Sequence, residues 1–250
     1  MFRVLLTRSP EDNQRLLESL DGVETESCPM LQISGLLPTD AQRRLIQDLD
    51  LFDHIIFVSR NAARFGVNQL GSYWPAWPLA PSWYAVGAAT RDVLAEFGID
   101  CIAPQEESTA GLLGLASLSD VRGERVLIVR GQDGLPTLGE SLAARGARVE
   151  YLEVYRRAPV TLPPETQAHI INSRPWVVVA FSGDAVKAFA ANVGEVRDGF
   201  VIVAPSGRIA DIATANGFAA HAADGTAQGA IMAKITEILA GGNGQAHGDW

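Results

Sequence analysis

Short apolar runs alternate with capped helical segments along the whole chain. Residues 54–58 (HIIFV) and 177–181 (VVVAF) are continuously apolar, which is typical of parallel strands buried on both faces. Many runs are followed by Ser, Thr or Gly and then a helical segment, because these residue types favour helix N-termini. The alternation of strand and helix predicts an α/β fold whose parallel sheets are flanked by helices.

The pattern predicts ten strands and ten helices. The strands are predicted at 4–7, 23–31, 54–58, 83–86, 101–103, 126–129, 149–155, 177–181, 200–203 and 219–222. The helices are predicted at 10–20, 40–49, 62–69, 88–97, 110–118, 137–144, 164–172, 185–191, after the turn at 204–208, and from 226 onward. Residues 32–38 (QISGLLP) have weak periodicity and end in proline, so they are predicted to be a linker.

The second half of the chain repeats the first, element by element. The matching pairs are 57–65 with 181–189, 84–100 with 201–219, and 103–114 with 222–233. The first copy then continues into a strand–helix–strand segment, 125–157, whereas the second copy ends at the C-terminus. A segment like 125–157 starts instead at Arg3, and Arg3 and Arg8 correspond to Arg125 and Arg130 at a constant offset.

This order predicts a discontinuous domain and an inserted one. The discontinuous domain comprises 1–35 plus 160–250, with a disordered tail at 241–250, and the inserted domain comprises 40–153. Each is expected to be a lobe with one parallel sheet of flavodoxin- or Rossmann-like type. The two crossings, 32–38 and 153–160, are expected to form a hinge beside a cleft between the lobes.

Charge and composition narrow the classes of function. A net charge of −9 argues against nucleic acid and anionic membranes as partners, because both require a basic face. A small anionic substrate remains possible, since a cleft in an acidic protein can be locally positive. The N-terminal apolar run is too short for a signal peptide and no stretch is long enough to span a bilayer, so a cytoplasmic protein is expected.

The candidate binding residues lie where the strands end. In parallel α/β sheets ligands bind beyond the carboxyl ends of the strands, and the turns there place Ser, Thr and Gly at helix N-termini, which favour anions. The candidates are Arg8, Ser59, Asn61, Gly87, Thr109, Arg130, Gly131, Ser182, Gly183, Ser206, Gly207 and Thr226.

Some of these residues have two interpretations. Ser59 and Ser182 are equivalent, and each is either a helix cap alone or a cap that also contacts an anion. Arg8 and Arg130 are equally consistent with an ion-paired arginine and with a carboxylate ligand. Tyr155 is either a packed hinge residue or a phenol that faces the cleft and donates a proton.

Common catalytic and nucleotide-binding motifs are absent from the sequence. There is no GxGxxG, Walker loop, GxSxG or HExxH motif, and the four histidines are scattered. The two cysteines, Cys28 and Cys101, are expected to be buried free thiols. We therefore predict neither a metal nor a cofactor.

Several blocks together resemble the uroporphyrinogen-III synthase family over residues 3 to about 240. They are VLLTR, FVSRNAARF, YAVG followed by Thr90, VLIVRG, LGESLAARGARVEYLEVYRR and FSGDAV. The resemblance implies a cofactor-free cytosolic enzyme that closes linear hydroxymethylbilane to uroporphyrinogen III, with loss of water and inversion of ring D. It implies that Tyr155 assists departure of the hydroxyl and that Ser59 and Ser182 lie in substrate-binding turns. The turn at 204–208 departs from the usual Gly-Thr of the family, and Ser206 is assigned in place of the threonine.

The alternative from another class is a non-enzymatic two-lobed protein that binds or senses an anion, because a fold does not determine function. The absence of a recognisable secretion signal counts against a periplasmic binder. In either case a monomer is expected.

Overall fold

The chain folds into two compact units. A computed structural model describes residues 2–132, 134–225 and 227–242. Unit 1 consists of Met1–Gln32 together with Ala158–Trp250, and unit 2 of Ile33–Arg157. The chain therefore leaves unit 1 after Gln32 and re-enters it at Ala158.

Strands and helices alternate through both units. The strands are β1 (Arg3–Leu6), β2 (Thr25–Ser27), β3 (Leu31–Gly35), β4 (His54–Phe57), β5 (Ser82–Ala85), β6 (Arg125–Gly131), β7 (Arg148–Pro159), β8 (Trp176–Val179), β9 (Phe200–Ala204) and β10 (Ala219–Ala222). The helices are α1 (Pro10–Ser19), α2 (Asp40–Gln47), α3 (Arg60–Gly71), α4 (Ala88–Glu96), α5 (Thr109–Leu113), α6 (Thr137–Ala144), α7 (Pro164–Asn172), α8 (Gly183–Val193), α9 (Gly207–Ala215) and α10 (Gln228–Gly242).

Unit 1 contains a five-stranded sheet in the order β10-β9-β8-β1-β2, and its strand pairs are parallel. Successive residues of β1 enter different cores because side chains alternate across a strand. Leu5 packs in one cluster with Val178, and Val4 and Leu6 pack in the other with Val177. The continuous apolar runs are thus explained by helices that cover both faces of the sheet.

Unit 2 contains a second five-stranded sheet in the order β3-β7-β6-β4-β5. Ile55 and Leu127 pack on one face, and Ile56 and Ile128 pack on the other. The prediction of two α/β sheets of mostly parallel strands is confirmed.

The two sheets have the same strand order once the repeat is taken into account. In unit 2 the order β5-β4-β6-β7 corresponds to β9-β8-β1-β2 in unit 1. The N-terminal strand β1 therefore occupies in its sheet the place that β6 occupies in the other. A bridge between Tyr84 and Ile102 lies where unit 1 has the full strand β10.

The structure corrects the prediction around residues 23–38. The predicted strand at 23–31 is two separate strands, β2 and β3, and most of the predicted linker is strand β3. The N–H of Leu36 donates to the Val154 carbonyl, and that of Val160 donates to the Met30 carbonyl. Residue numbers rise along one strand as they fall along the other, so β3 pairs with β7 in the antiparallel sense.

Three smaller differences concern the lengths of elements. The predicted strand at 101–103 is only the bridge at Ile102. The predicted helix at 110–118 is the short α5, followed by a 3₁₀ turn at Ala116–Leu118. Helix α10 includes the first two residues of the predicted disordered tail, and the rest of that tail, like the candidate Thr226, lies outside the described residues.

None of the helices within the described ranges has the length and apolar character needed to cross a membrane.

Candidate functional site

Four residues form a row along the carboxyl end of the sheet in unit 2. Phe57 of β4 is in register with Ala85 of β5 and Val129 of β6. Two residues beyond each of these positions come Ser59, Gly87 and Gly131. Gly131 is paired in turn with Tyr155 of β7. We refer to Tyr155, Gly131, Ser59 and Gly87 as the unit 2 edge.

Tyr155 is buried at this edge, with 4% of its surface exposed. Its Oη lies 3.2 Å from Ser59 Oγ, and Arg157 Nη2 donates to it at 3.4 Å. Its ring stacks on Phe65, with centroids 5.9 Å apart. A Cβ at Gly131 would lie 2.6 Å from Cζ of Tyr155, so the ring can occupy this place only because residue 131 has no side chain.

Ser59 is the N-cap of α3. Its Oγ accepts the N–H of Ala62 at 3.0 Å, which satisfies one of the donors that the first turn of a helix leaves unpaired. Asn61 is the second residue of the same helix and is half-buried. Ser59 is therefore both a cap and the hydrogen-bond partner of Tyr155, so capping is not its only role.

Arg130 is held by groups of its own unit. Its guanidinium forms an ion pair with Glu153 at 3.0 Å, donates to the Gly134 carbonyl at 3.1 Å and lies 4.0 Å from the ring centre of Tyr151. Of the two interpretations left open by the sequence, this arrangement favours the ion-paired arginine. Arg130 thus ties β6, β7 and the loop after Gly131 together.

Gly87 and Thr109 lie at two further helix starts. Gly87 is the N-cap of α4 and is buried, and a Cβ there would lie 2.6 Å from Oε2 of Glu107. The N-cap of α5 is Ser108, whose Oγ accepts from Gly111 N at 3.0 Å, and Thr109 is the first residue of that helix. The carboxylate of Glu107 therefore lies close to the N-terminus of α4.

Unit 1 has an equivalent edge of three serines. Leu6, Val179 and Val203 are in register on β1, β8 and β9. Three residues beyond each of these positions come the N-caps of α1, α8 and α9, which are Ser9, Ser182 and Ser206. We call this row the unit 1 edge.

The three caps differ in how their hydroxyls are engaged. Ser182 Oγ accepts from Ala185 N at 3.2 Å, whereas Ser206 makes no side-chain cap hydrogen bond. Gly183 has a packing role, because a Cβ there would lie 2.6 Å from Cδ1 of Ile212. Gly207 is exposed, and a Cβ there would meet nothing within 4 Å.

Arg8 differs from its counterpart Arg130. Its guanidinium lies 4.3 Å from the ring centre of Phe181, next to the Ser182 cap. No carboxylate of the described residues forms an ion pair with it. Arg8 therefore places at the unit 1 edge a positive charge that no described carboxylate neutralises.

Sequence reasoning did not select Ser9, Arg157 or Glu153 as site residues. Ser9 directly precedes the predicted helix at 10–20, and its position in the row follows from the pairing of β1 with β8. Glu153 stands in the LEVY segment, but its partner Arg130 depends on strand register. Arg157 lies two residues after its partner Tyr155 on the same strand, so the period of two along a strand is the signal that could have found this contact.

His54 and the two cysteines have structural surroundings. His54 is buried between Tyr84 Oη at 3.2 Å and Glu124 Oε2 at 2.7 Å. Burial raises the pKa of the Cys28 and Cys101 thiols to about 11. Across the described ranges, no three His, Cys, Asp or Glu side chains are grouped to hold a metal ion.

The fold and the two edges define an α/β protein whose two sheets share the order of four strands, with helix N-termini at the carboxyl ends of the strands, several of them capped by serine. The family model of uroporphyrinogen-III synthase HemD matches residues 11–232 of the 250. The chain therefore belongs to the uroporphyrinogen-III synthase family, and the family resemblance of its sequence blocks is confirmed.

Curated relatives of this chain are named uroporphyrinogen-III synthase. Uroporphyrinogen-III synthase of Salmonella typhimurium is 35% identical over 160 residues, which cover 62% of this chain and 64% of that protein. The enzyme of Proteus mirabilis is 28% identical over 158 residues, which cover 62% of this chain and 79% of that protein. The match thus spans less than two thirds of the Salmonella protein.

Solved structures share the fold along the whole chain. Uroporphyrinogen-III synthetase of Helicobacter pylori superposes with a TM-score of 0.67 at 16% identity, covering 95% of this chain and 100% of that one. A mutant uroporphyrinogen III synthase of Thermus thermophilus gives a TM-score of 0.60 at 20% identity, covering 96% and 99%. At these identities the likeness shows the fold alone.

Proposed function

We propose that this protein closes linear hydroxymethylbilane to uroporphyrinogen III, with loss of water and inversion of ring D. The observation that carries the proposal is the hydrogen-bonded pair of Tyr155 and Ser59, 3.2 Å apart at the carboxyl end of a sheet. Membership of the family supplies the reaction class, and the pair supplies hydroxyl groups able to protonate a leaving group.

The substrate carries eight carboxylates, and the two edges offer groups that suit them. Helix N-termini attract anions through unpaired backbone N–H groups and the helix dipole, each exposed contact contributing about 0.3–1 kcal/mol. We propose that Ser182, Ser206 and Arg8 bind carboxylates of the substrate at the unit 1 edge. Ser59, Asn61 and the backbone of Gly131 serve the substrate at the unit 2 edge.

The remaining candidates have smaller roles in the proposal. Gly87, Thr109, Gly183, Gly207 and Thr226 keep the substrate-binding role predicted from the sequence. Arg130 acts indirectly, because it pairs with Glu153 and donates to the carbonyl of Gly134, close to Gly131.

The reaction proceeds in three steps. Departure of the ring A hydroxyl gives an azafulvene cation, which attacks the substituted carbon of ring D to form a spiro intermediate. The intermediate then fragments and closes at the other carbon. Because the substrate closes unaided to the I isomer, the protein has mainly to fold it and to protonate the hydroxyl, which is catalysis by positioning.

A cytoplasmic location, a monomeric state and independence from cofactors remain predictions from the sequence. The alternative of a non-enzymatic anion-binding protein gains no support from the relatives, which are named as synthases.

The test uses freshly prepared hydroxymethylbilane, with the protein dialysed against a chelator. Products are oxidised to porphyrins, and the I and III isomers are separated by chromatography. We expect the III isomer to dominate. Formation of the I isomer alone, at the rate seen without protein, would reject the proposed function.

A further inference from the structure

The partners of Tyr155 limit how its hydroxyl group can donate and accept hydrogen bonds. The guanidinium of Arg157 is donor-only, so Tyr155 Oη accepts from it at 3.4 Å. A phenol has a single proton, and the described partner that can receive it is Ser59 Oγ at 3.2 Å. The phenol oxygen can also accept a second hydrogen bond, so the count alone allows either direction between Tyr155 and Ser59. Burial decides between the two directions, because with Ser59 as the donor the Tyr155 proton would be buried without a partner among the described residues. We therefore assign Tyr155 as the donor.

With Tyr155 as the donor, the position of the Ser59 proton follows. A serine oxygen has two lone pairs and one proton. One lone pair accepts Ala62 N–H at 3.0 Å, and the other accepts the Tyr155 proton. The Ser59 proton is left over, and among the described residues no further acceptor lies within hydrogen-bonding distance of Ser59 Oγ.

The burial of Tyr155 also favours Ser59 as the hydroxyl that contacts a bound molecule. Only 4% of Tyr155 is exposed, and Gly131 and Phe65 pack against its ring. Ser59 is half-buried at the end of its strand, so a bound molecule reaches the serine hydroxyl more readily than the phenol.

We propose that Ser59, not Tyr155, passes the proton to the departing hydroxyl of the substrate, while Tyr155 replenishes Ser59 and Arg157 holds Tyr155. This inference rests on the proposed function. Ser59 is then a catalytic residue, and Tyr155 and Arg157 are positioning residues that act through it.

Every proton and charge in the proposed transfer is accounted for. The substrate C–O bond breaks with its electron pair on oxygen, and that oxygen takes the Ser59 proton and leaves as water. The Tyr155 proton moves to Ser59 in the same event, so the charge rests on the phenol, a far stronger acid than an alcohol. The positive charge of Arg157 lies beside the resulting phenolate. When ring closure releases a proton from ring D, the phenolate recovers it through Ser59.

The distinguishing variant is Ser59→Ala. If Ser59 is the donor, kcat falls about 100-fold, within the usual range for loss of a general acid, while KM changes little. A serine that only binds a carboxylate would instead raise KM and leave kcat intact. If Tyr155 is the donor, removal of Ser59 frees the phenol and kcat stays within about threefold of the unaltered protein, which would overturn the inference.

Two matched variants separate catalysis from helix capping. Ser59→Thr keeps both hydroxyl and cap and should retain most of kcat. Thr39→Ala removes the N-cap of α2, whose Oγ accepts from Gln42 N at 3.3 Å, and should leave kcat unchanged. Equal losses of kcat in Ser59→Ala and Thr39→Ala would assign the effect to capping and reject the inference.

The roles of Tyr155 and Arg157 are tested by coupling and by rescue. Because Tyr155 acts through Ser59, the double variant Ser59→Ala, Tyr155→Phe should be no slower than Ser59→Ala alone. Arg157→Met should lower kcat about tenfold, and Arg157→Lys should restore it. Independent, multiplying losses in the double variant, or no rescue by lysine, would contradict the chain of donors.

These outcomes differ from failure of the proposed function. If the unaltered protein makes no III isomer, the function itself is rejected. If it makes the III isomer while Ser59→Ala keeps full kcat, only the assignment of the donor is wrong.

Discussion

Gly131 determines where the ring of Tyr155 can lie. A Cβ at this position would approach the ring to 2.6 Å, closer than real Cβ contacts allow, so Gly131→Ala must displace the tyrosine. A catalytic group misplaced by about 1 Å can cost as much as 100-fold in rate. We expect Gly131→Ala to lower kcat at least tenfold in the isomer assay.

The matched control for Gly131→Ala is Gly229→Ala on α10, where an added Cβ meets nothing within 4 Å. Its kcat should equal that of the unaltered protein. A Gly131→Ala protein as active as this control would show that the place of the Tyr155 ring is unimportant.

The two buried thiols make stability sensitive to alkaline pH. Their pKa of about 11 in the folded protein lies above the ordinary value of about 8.5, because burial disfavours the thiolate. The folded state holds these protons more tightly, so the stabilisation is complete below about pH 8.5 and is lost as pH rises to about 11. Urea unfolding at several pH values should show this decline.

A double variant, Cys28→Ala with Cys101→Ala, isolates the contribution of the thiols. Its free energy of unfolding should decline less between pH 8.5 and 11, since other titrating groups are shared by both proteins. Parallel declines in the two proteins would contradict the assignment to these cysteines.

The sequence located site residues by chain position but not their contacts. Ser59, Gly131 and Tyr155 were predicted because each follows or ends an apolar strand. The pairing of Tyr155 with Ser59 depends on three strands whose register no local pattern encodes. The ion pair of Arg130 could not be predicted from the sequence either, because its partner Glu153 lies on another strand and the contact depends on the register of the two strands.

At the scale of elements, the pair of Arg130 and Glu153 fastens β6 to β7. Only 15% of the arginine side chain and 28% of the glutamate side chain are exposed, so the pair is intermediate between surface and buried pairs. We expect Glu153→Gln to lower the free energy of unfolding by about 1–2 kcal/mol, measured by urea titration. The Arg130 guanidinium, which donates to the Gly134 carbonyl, should also be displaced, with a loss of kcat.

Glu150→Gln is the control for Glu153→Gln. Glu150 forms a comparable pair with Arg125 at 2.9 Å, at the amino ends of the same two strands. The free energy of unfolding of the Glu150→Gln variant should fall by a similar amount, and its kcat should be unchanged. Equal effects of the two variants on kcat would mean that Arg130 has no particular influence on the site.

Elements with a strong apolar pattern were predicted well, and the edge strands β5 and β10 were located as well, whereas β2 and β3 were merged into one predicted strand at 23–31. The run at 54–58 corresponds to β4, which is buried along its whole length. Strand β3 has the sequence LQISG, and all its residues are at least partly exposed, because it lies at an edge of its sheet. Strand β3 buries little apolar surface, so its sequence resembles that of a loop.

At the scale of the molecule, unit 2 is continuous in sequence whereas unit 1 is not. Fragment 31–159 retains all strands of its sheet and the apolar clusters on both faces. We expect it to fold alone with a cooperative urea transition. Fragment 158–242 lacks β1, whose Val4, Leu5 and Leu6 are completely buried, and it should stay unfolded by circular dichroism.

The opposite result, a folded 158–242 and an unfolded 31–159, would contradict this division of the chain. Addition of a peptide covering residues 1–32 to fragment 158–242 should restore helical signal, since it supplies β1 and its buried side chains.

The internal repeat allowed the sequence to predict more about the whole molecule than about single contacts. Matching segments indicated two similar sheets, and the structure has one strand order in both. The antiparallel pairing of β3 with β7 was not predicted, because neither segment has a repeat partner with that pairing.

The most direct test is the fraction of III isomer formed by a small amount of protein from a large excess of hydroxymethylbilane. We expect nearly complete conversion to the III isomer over many turnovers, and a return to the I isomer when Ser59→Ala replaces the unaltered protein. The I isomer from both proteins would contradict the proposed function, and the III isomer at full rate from both would contradict the role given to Ser59.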